Sequence, residues 1–356
     1  MDNREIELFK ALCSFKKYFT DKSLLESASA EVLGQLFFNR MQGVAYGNLL
    51  SRGLADKVNR EFRNSLFCGY EFNKRKNEEF FCRLDYVGHI LSKFDGKYAL
   101  LKGAYLCGSY PDGYRTSNDI DILDEPKDVG AVGELLGKAG FLQGRVVKGE
   151  FVPATRREII ESRMTRGETV PYFKEVVFTQ KKYIEADVNF SLGYKSEDGG
   201  ILKQMLSDSG YRKVKNTEVM TLSEYDFLCH LCCHLYKEAT TLPWVEMKRD
   251  MTLYKYCDIY MFTDDYDEQK TAAFFERAKQ LHIEDVCAFA VLQTGSIFDF
   301  NGTCVTKRAK EVLGDRPDFL HRVVSPKDNK IFYYKEKDVL KRFFSKDRRA
   351  LLQEEK

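Results

Sequence analysis

Residues Leu101–Leu123 read LKGAYLCGSYPDGYRTSNDIDIL, and the end of that stretch decides the fold. Asp119 and Asp121 alternate with Ile120 and Ile122. Strand side chains repeat every two residues, so both carboxylates share one face and both isoleucines share the other, toward a core. Two like charges this close repel each other unless a cation offsets them. Hard carboxylate oxygens suit Mg²⁺ or Mn²⁺.

Just upstream, Tyr98–Leu101 has strand character and ends at Lys102-Gly103. Glycine there allows a sharp turn and lets a phosphate approach the N–H groups that open the following helix. Gly108-Ser109 has the broader spacing of such a turn too and is the rival, but Gly103 directly follows a strand and is preferred. Pro111-Asp112-Gly113 is a turn signal before the aspartate strand.

Downstream, a helix is expected over 129–139, closed by Gly140, then a strand from Phe141. The charged segment 145–175 carries Arg145, Lys148, Arg156, Arg157, Arg163 and Arg166 interleaved with glutamates, the pattern of a solvated helix with ion pairs. The competing reading is an arginine grip on a polyphosphate. Strands are expected over 176–179 and 183–192. In the second, Glu185, Asp187 and Asn189 share a face, which makes this strand the source of a third carboxylate, Asp187 in preference to Glu185. Gly193 and residues 196–200 end the strand region.

The flanks read as helical. Leu8, Leu12, Phe15 and Phe19 fall at helical spacing, as do Leu33, Leu36, Phe37 and Met41, and apolar stripes continue to Phe94. Helices return from Leu222, including 248–262 and 268–281, and the tail from Lys327 is expected to be a peripheral helix with a frayed end. The expected division is a helical region over 1–95, a core over 96–215 and a helical domain over 216–356.

At 356 residues the chain is long enough for two or three domains, and its formal charge of +2 argues against general DNA binding through a strong basic field. A charged start and the absence of a run of about 20 apolar residues point to a soluble, cytoplasmic protein without a membrane partner. Ten cysteines without paired spacing read as reduced thiols. Cys229, His230, Cys233, His234 and Glu238 have a spacing that can bind zinc, although Cys and His on a Leu-rich helix are more often core residues. His234 or Asp258 is expected to line the face that meets the sheet.

The segments LLKGAYL and YRTSNDIDIL, with the later IEADVNFSL and LYKYCDIYMF, resemble the uncharacterised bacterial branch of the DNA polymerase β-like nucleotidyltransferases, in which a Lys-Gly turn replaces Gly-Gly or Gly-Ser. The resemblance implies an α+β (mixed) fold, a small mixed sheet with helices between N-terminal and C-terminal helical regions. It makes Gly103 the phosphate-turn glycine, Asp119 and Asp121 the metal-binding pair, and Asp187 the third carboxylate that activates an acceptor hydroxyl. Arg115 and Ser117 match the Arg and Ser before the aspartate pair; the glycine turn and Ser117 would hold the triphosphate, and Lys102 or Arg115 would offset its charge. Asn118 is a departure, since many members place the serine directly before the first aspartate.

The implied activity is Mg²⁺-dependent (or Mn²⁺-dependent) transfer of a nucleoside monophosphate from an NTP to a hydroxyl or phosphate of a small molecule, peptide or RNA, with pyrophosphate release. The alternatives are a nucleotide-binding or regulatory protein without turnover, and a phosphotransferase on the same scaffold.

Overall fold

The computed structural model describes residues 1–14, 21–193 and 200–355, so Phe15, Phe19 and most of the 196–200 stretch lie outside the described residues. The chain forms two compact units. One joins Met1–Tyr70 to Leu228–Lys356, and the other is Glu71–Phe227. The divisions therefore fall at Tyr70 and Phe227, where the sequence pattern put them near 95 and 215.

Along the chain, the first unit begins with α1 (Asn3–Cys13), α2 (Ala30–Phe38) and α3 (Gln42–Ser51). Asp2 opens α1 with a capping box to Glu5. The 32-residue α4 (Arg60–Leu91) starts in this unit and continues into the second.

The second unit holds β1 (Tyr98–Leu100), α5 (Gly103–Ser109), β2 (Ile120–Asp124), α6 (Val129–Lys138), β3 (Leu142–Val147), β4 (Glu150–Pro153), α7 (Arg156–Thr165), β5 (Tyr172–Glu175), β6 (Tyr183–Asn189), α8 (Gly200–Ser207), β7 (Gly210–Val214) and β8 (Thr217–Thr221). Six strands form one sheet in the order β1-β2-β6-β5-β3-β4. β1 is antiparallel to β2, but β2 and β6 run parallel, because the long excursion through α6, β3 to β5 and α7 returns the chain in the same direction. Phe80, Leu84 and Val87 of α4 pack with Ile120, Ile122, Ala186 and Val188 to form the core. The isoleucine face therefore points inward, as period-two patterning requires. β7 and β8 make a hairpin, with Thr221 donating 2.7 Å to the Leu100 carbonyl.

Two expectations here need correction. The strand before β6 is Tyr172–Glu175, not 176–179. Val176-Val177-Phe178 has the β-branched propensity, but Tyr172 and Phe173 are the residues the core buries, and Val177 is fully exposed. The charged segment 145–175 is also more ordered than a single solvated helix. It contains a β3–β4 hairpin and α7, whose Thr155–Glu158 capping box and 2.7 Å Arg145–Glu158 pair carry the ion-pair pattern.

The first unit resumes from α9 (Glu224–Ala239), which begins in the second, and continues through α10 (Leu242–Glu246), α11 (Leu253–Thr263), α12 (Glu268–Gln280), α13 (Glu284–Phe298) and α14 (Cys304–Leu313). α13 is buried almost all round and packs with α11 and α14. The tail then departs from the expected frayed helix. β9 (Arg322–Val324), β10 (Ile331–Tyr334) and β11 (Leu352–Glu354) form an antiparallel sheet, with the short α15 (Val339–Phe343) and a 3-10 turn at Arg349–Leu351 between the last two strands. Phe332 and Tyr334 alternate inward onto Val245, Val323 and Leu352. Asp250, fully buried, is gripped by Arg348 at 2.7 to 2.9 Å, with Tyr334 at 3.3 Å.

All ten cysteines are thiols. Among the described residues no helix is long and apolar enough to cross a membrane.

Candidate active site

The parallel pairing of β2 with β6 sets Asp121 directly beside Asp187, and Ile120 beside Ala186. Asp119 lies in the bend just before β2, near enough to Glu185 for its charge to raise that carboxyl. Asp121, Asp187 and Glu185 thus share the face of the sheet opposite the isoleucine face, and Asp119 adds a fourth carboxylate whose charge acts on all three. Burial pushes the Asp187 carboxyl well above the usual range, and the charges of Asp121, Asp119 and Glu185 add to that. Burial also raises Glu185, with Asp119 the next cause. For Asp121, 4% exposed, burial outweighs the lowering effect of Lys102. Glu168 joins the set. It bridges Asn189 at the end of β6, pairs with Arg166 at 2.6 Å, and its charge acts on Asp121.

The turn before α5 supplies the facing cation. Lys102 has φ 46° and ψ −113°, a conformation sparsely populated for a residue with a Cβ and costing about 1–3 kcal/mol. Its ammonium lies 2.7 Å from Asp121 Oδ1. The glycine requirement at the next residue is one of space. A Cβ on Gly103 would come within 2.2 Å of the Ser117 Cβ. Gly103 thus lets the loop before β2 close down on the turn, while the positive φ is carried by Lys102. The rival turn, Gly108-Ser109, lies inside α5; a Cβ at Gly108 would strike Val214, so this glycine serves packing against β7.

Ser117 donates 3.1 Å to Asp119 Oδ1 and 3.3 Å to the Asp119 carbonyl. Asn118, the residue inserted between them, points its contacts the other way. Its side-chain oxygen accepts from Lys76 at 2.6 Å and its carbonyl from Arg83 at 3.2 Å. Ser117 and Asp119 can therefore meet as alternate residues. Arg115 is buried; its guanidinium donates to the Thr116 carbonyl and its own carbonyl accepts 2.9 Å from Asn77.

Residues 27–299 match the family described as uncharacterised nucleotidyltransferase. The chain belongs to that family. No curated protein matches it.

In this member of the family the residues the sequence singled out at the aspartate strand, the Lys-Gly turn and the 183–189 strand come together, and Arg83, Lys76, Glu79 and Glu168 join them. Those four were hidden in stretches that read as an apolar helix and a solvated insertion. A usable signal exists in α4, where Asn73, Asn77 and Arg83 interrupt the stripe of Phe80, Leu84 and Val87 on its buried face.

The donor set suits a hard cation: carboxylate oxygens only, including the Asp187 Oδ1, which is buried with no hydrogen-bond partner. Among the described residues no three His, Cys, Asp or Glu side chains form a ready-made metal group, and Lys102 sits on Asp121. The same holds for the α9 cluster. His234 Nε2 lies 3.4 Å from Glu238, which also pairs with Lys255, and the Cys229 and Cys287 sulfurs are 3.9 Å apart. These contacts are those of a packed helix face.

Proposed function

We propose that the protein transfers a nucleoside monophosphate from an NTP to a hydroxyl or phosphate of an acceptor, releasing pyrophosphate, with Mg²⁺ or Mn²⁺ as cofactor. The observation that carries this reading is the in-register pairing of Asp121 with Asp187 across parallel strands, with Asp119 and Glu185 near enough for their charges to act on Asp187. Asp119, Asp121 and Asp187 would hold the cation. When bound, a divalent ion neutralises charge that develops on the reacting phosphate and orients the attacking oxygen.

The chain's own residues supply the rest. Lys102 places an ammonium at the turn against which Gly103 lets the Ser117 loop close, and Arg115 is a second cation on the loop before β2. Ser117 fixes the Asp119 carboxylate through its hydroxyl. In the transfer, the acceptor oxygen bonds to the α-phosphorus and the bond to the pyrophosphate oxygen breaks. The acceptor proton passes to the Asp187 carboxylate, whose proton affinity burial raises.

Nucleotides labelled at the α-phosphate, incubated with an acceptor panel, test this directly. The wild type is expected to transfer the label, and Asp121→Asn to lose at least about 100-fold. Transfer that survives loss of both Asp119 and Asp121 contradicts the reading, and transfer of a γ-label instead makes the protein a phosphotransferase.

A further inference from the structure

The buried face of α4 reaches the site loops at successive turns. Asn73 donates 2.9 Å to the Gly113 carbonyl, Asn77 2.9 Å to that of Arg115, and Arg83 3.2 Å to that of Asn118. Lys76 takes the Asn118 side chain, and Glu79 accepts from the Thr179 and Gln180 N–H groups at 2.9 to 3.0 Å. One helix therefore tethers both the loop that delivers Arg115, Ser117 and Asp119 and the turn that leads into β6 with Glu185 and Asp187.

Arg83 is the unusual member of this row. It is 1% exposed, and burying a guanidinium costs several kcal/mol unless charge and hydrogen bonds offset it. The hydrogen bonds present are modest: Nε to the Glu79 carbonyl of its own helix at 3.3 Å and Nη1 to Asn118, while Nη2 is buried with no partner. The Phe80 ring lies 5.4 Å away. A donor needed only for one carbonyl could be an amide, like Asn73 and Asn77. What a cation adds is attraction to the carboxylates around it, and Glu79, Asp119 and Glu185 are the acidic groups whose charges act on it.

We infer that Arg83 is a positioning residue for nucleotidyl transfer, clamping Asn118 together with Lys76 so that Asp119 is held at the start of β2 beside Glu185. The clamp gives the inserted Asn118 a purpose: it is the handle by which α4 holds the first aspartate. This inference rests on the proposed transfer reaction, so its test carries one arm that needs no turnover.

The variants are Arg83→Met, Arg83→Lys and the milder Asn118→Ala. Steady-state transfer is measured in parallel with backbone hydrogen exchange followed by mass spectrometry. Arg83→Met is expected to lower kcat about 100-fold with KM for the NTP little changed, because displaced catalytic groups cost rate more than binding. Arg83→Lys is expected to recover part of that loss, and Asn118→Ala to share it. Exchange in peptides spanning 113–121 should rise about tenfold in Arg83→Met while the β7–β8 hairpin keeps wild-type protection. A kcat within threefold of wild type, or unchanged exchange over 113–121, overturns the inference. So does exchange that rises equally throughout the unit, which is the mark of a purely structural arginine. If the wild type transfers nothing, the transfer reading fails and the exchange arm alone decides the clamp.

Discussion

Two buried aspartates, one in each unit, meet opposite surroundings. Asp250 is enclosed by a bidentate Arg348 and the Tyr334 hydroxyl, so every part of its charge is answered within the fold. Asp121 has Lys102, but it also has Asp119, Asp187 and Glu168 in its field, and its proton affinity is raised. The first arrangement joins the tail to the helical unit. The second concentrates more like charge than Lys102 and Arg83 offset, an arrangement that fits the cationic ligand of the proposed reaction.

The largest expected effect separates these roles. Asp250→Ala leaves Arg348 buried without its partner and should cost about 3–5 kcal/mol, read as a shift in urea midpoint. Replacing both, with Leu for Asp250 and Met for Arg348, should recover most of it. If the double variant is as unstable as the single one, the pair matters for more than charge neutralisation.

The pH response sharpens the contrast, because the two units should weaken in opposite directions. In the second unit, burial lifts the Asp124 carboxyl to about 7. The folded state then holds a proton that the unfolded chain has released, so stability is greatest at acid pH and falls as pH rises from about 4 to 7, by at most about 4 kcal/mol. Asp124→Asn should flatten that slope. In the first unit, burial and then the charge of Arg342 push His321 down to about 4. Here the unfolded chain takes up a proton that the folded state refuses. Stability is complete above about 6.5 and is lost as pH falls toward 4, by at most about 3 kcal/mol. Hydrogen exchange resolved by unit at several pH values checks both slopes.

A smaller effect is expected at the turn. Gly103→Ala sets a methyl against Ser117 and should cost about 1–3 kcal/mol while lowering transfer, because the loop before β2 must back away. An unchanged melting temperature with full transfer would mean the loop has room that the 2.2 Å approach denies.

How much of this was legible in the sequence follows from which contacts are local. The alternation of Asp121 with Ile120 and Ile122, and of Glu185 and Asp187 with Ile184, Ala186 and Val188, states its own faces, and those faces came out as read, whereas Asp119 falls in the bend just before β2. The register that puts Asp121 beside Asp187 was not legible, since it depends on strands more than sixty residues apart pairing in parallel. Arg83 was lost in an apolar helical stripe because periodicity counts hydrophobic residues and overlooks the polar ones that share their face. The tail strands were missed for a related reason. Ile331-Phe332-Tyr333-Tyr334 is apolar on both faces and short, so it shows no period, and the surrounding Lys and Glu looked like a solvated end. Lys102 was read as a companion to a flexible glycine, whereas the unusual backbone angle is its own.

The most direct test of the central claim is a single comparison on Asp187→Asn, with stability and transfer measured on the same preparation at pH 8. A carboxylate kept for function against its own electrostatics should be dispensable to the fold. The expected result is a urea midpoint equal to or above that of the wild type, together with a loss of α-labelled nucleotide transfer of at least about 100-fold. A lower midpoint with transfer at the wild-type rate would contradict the account.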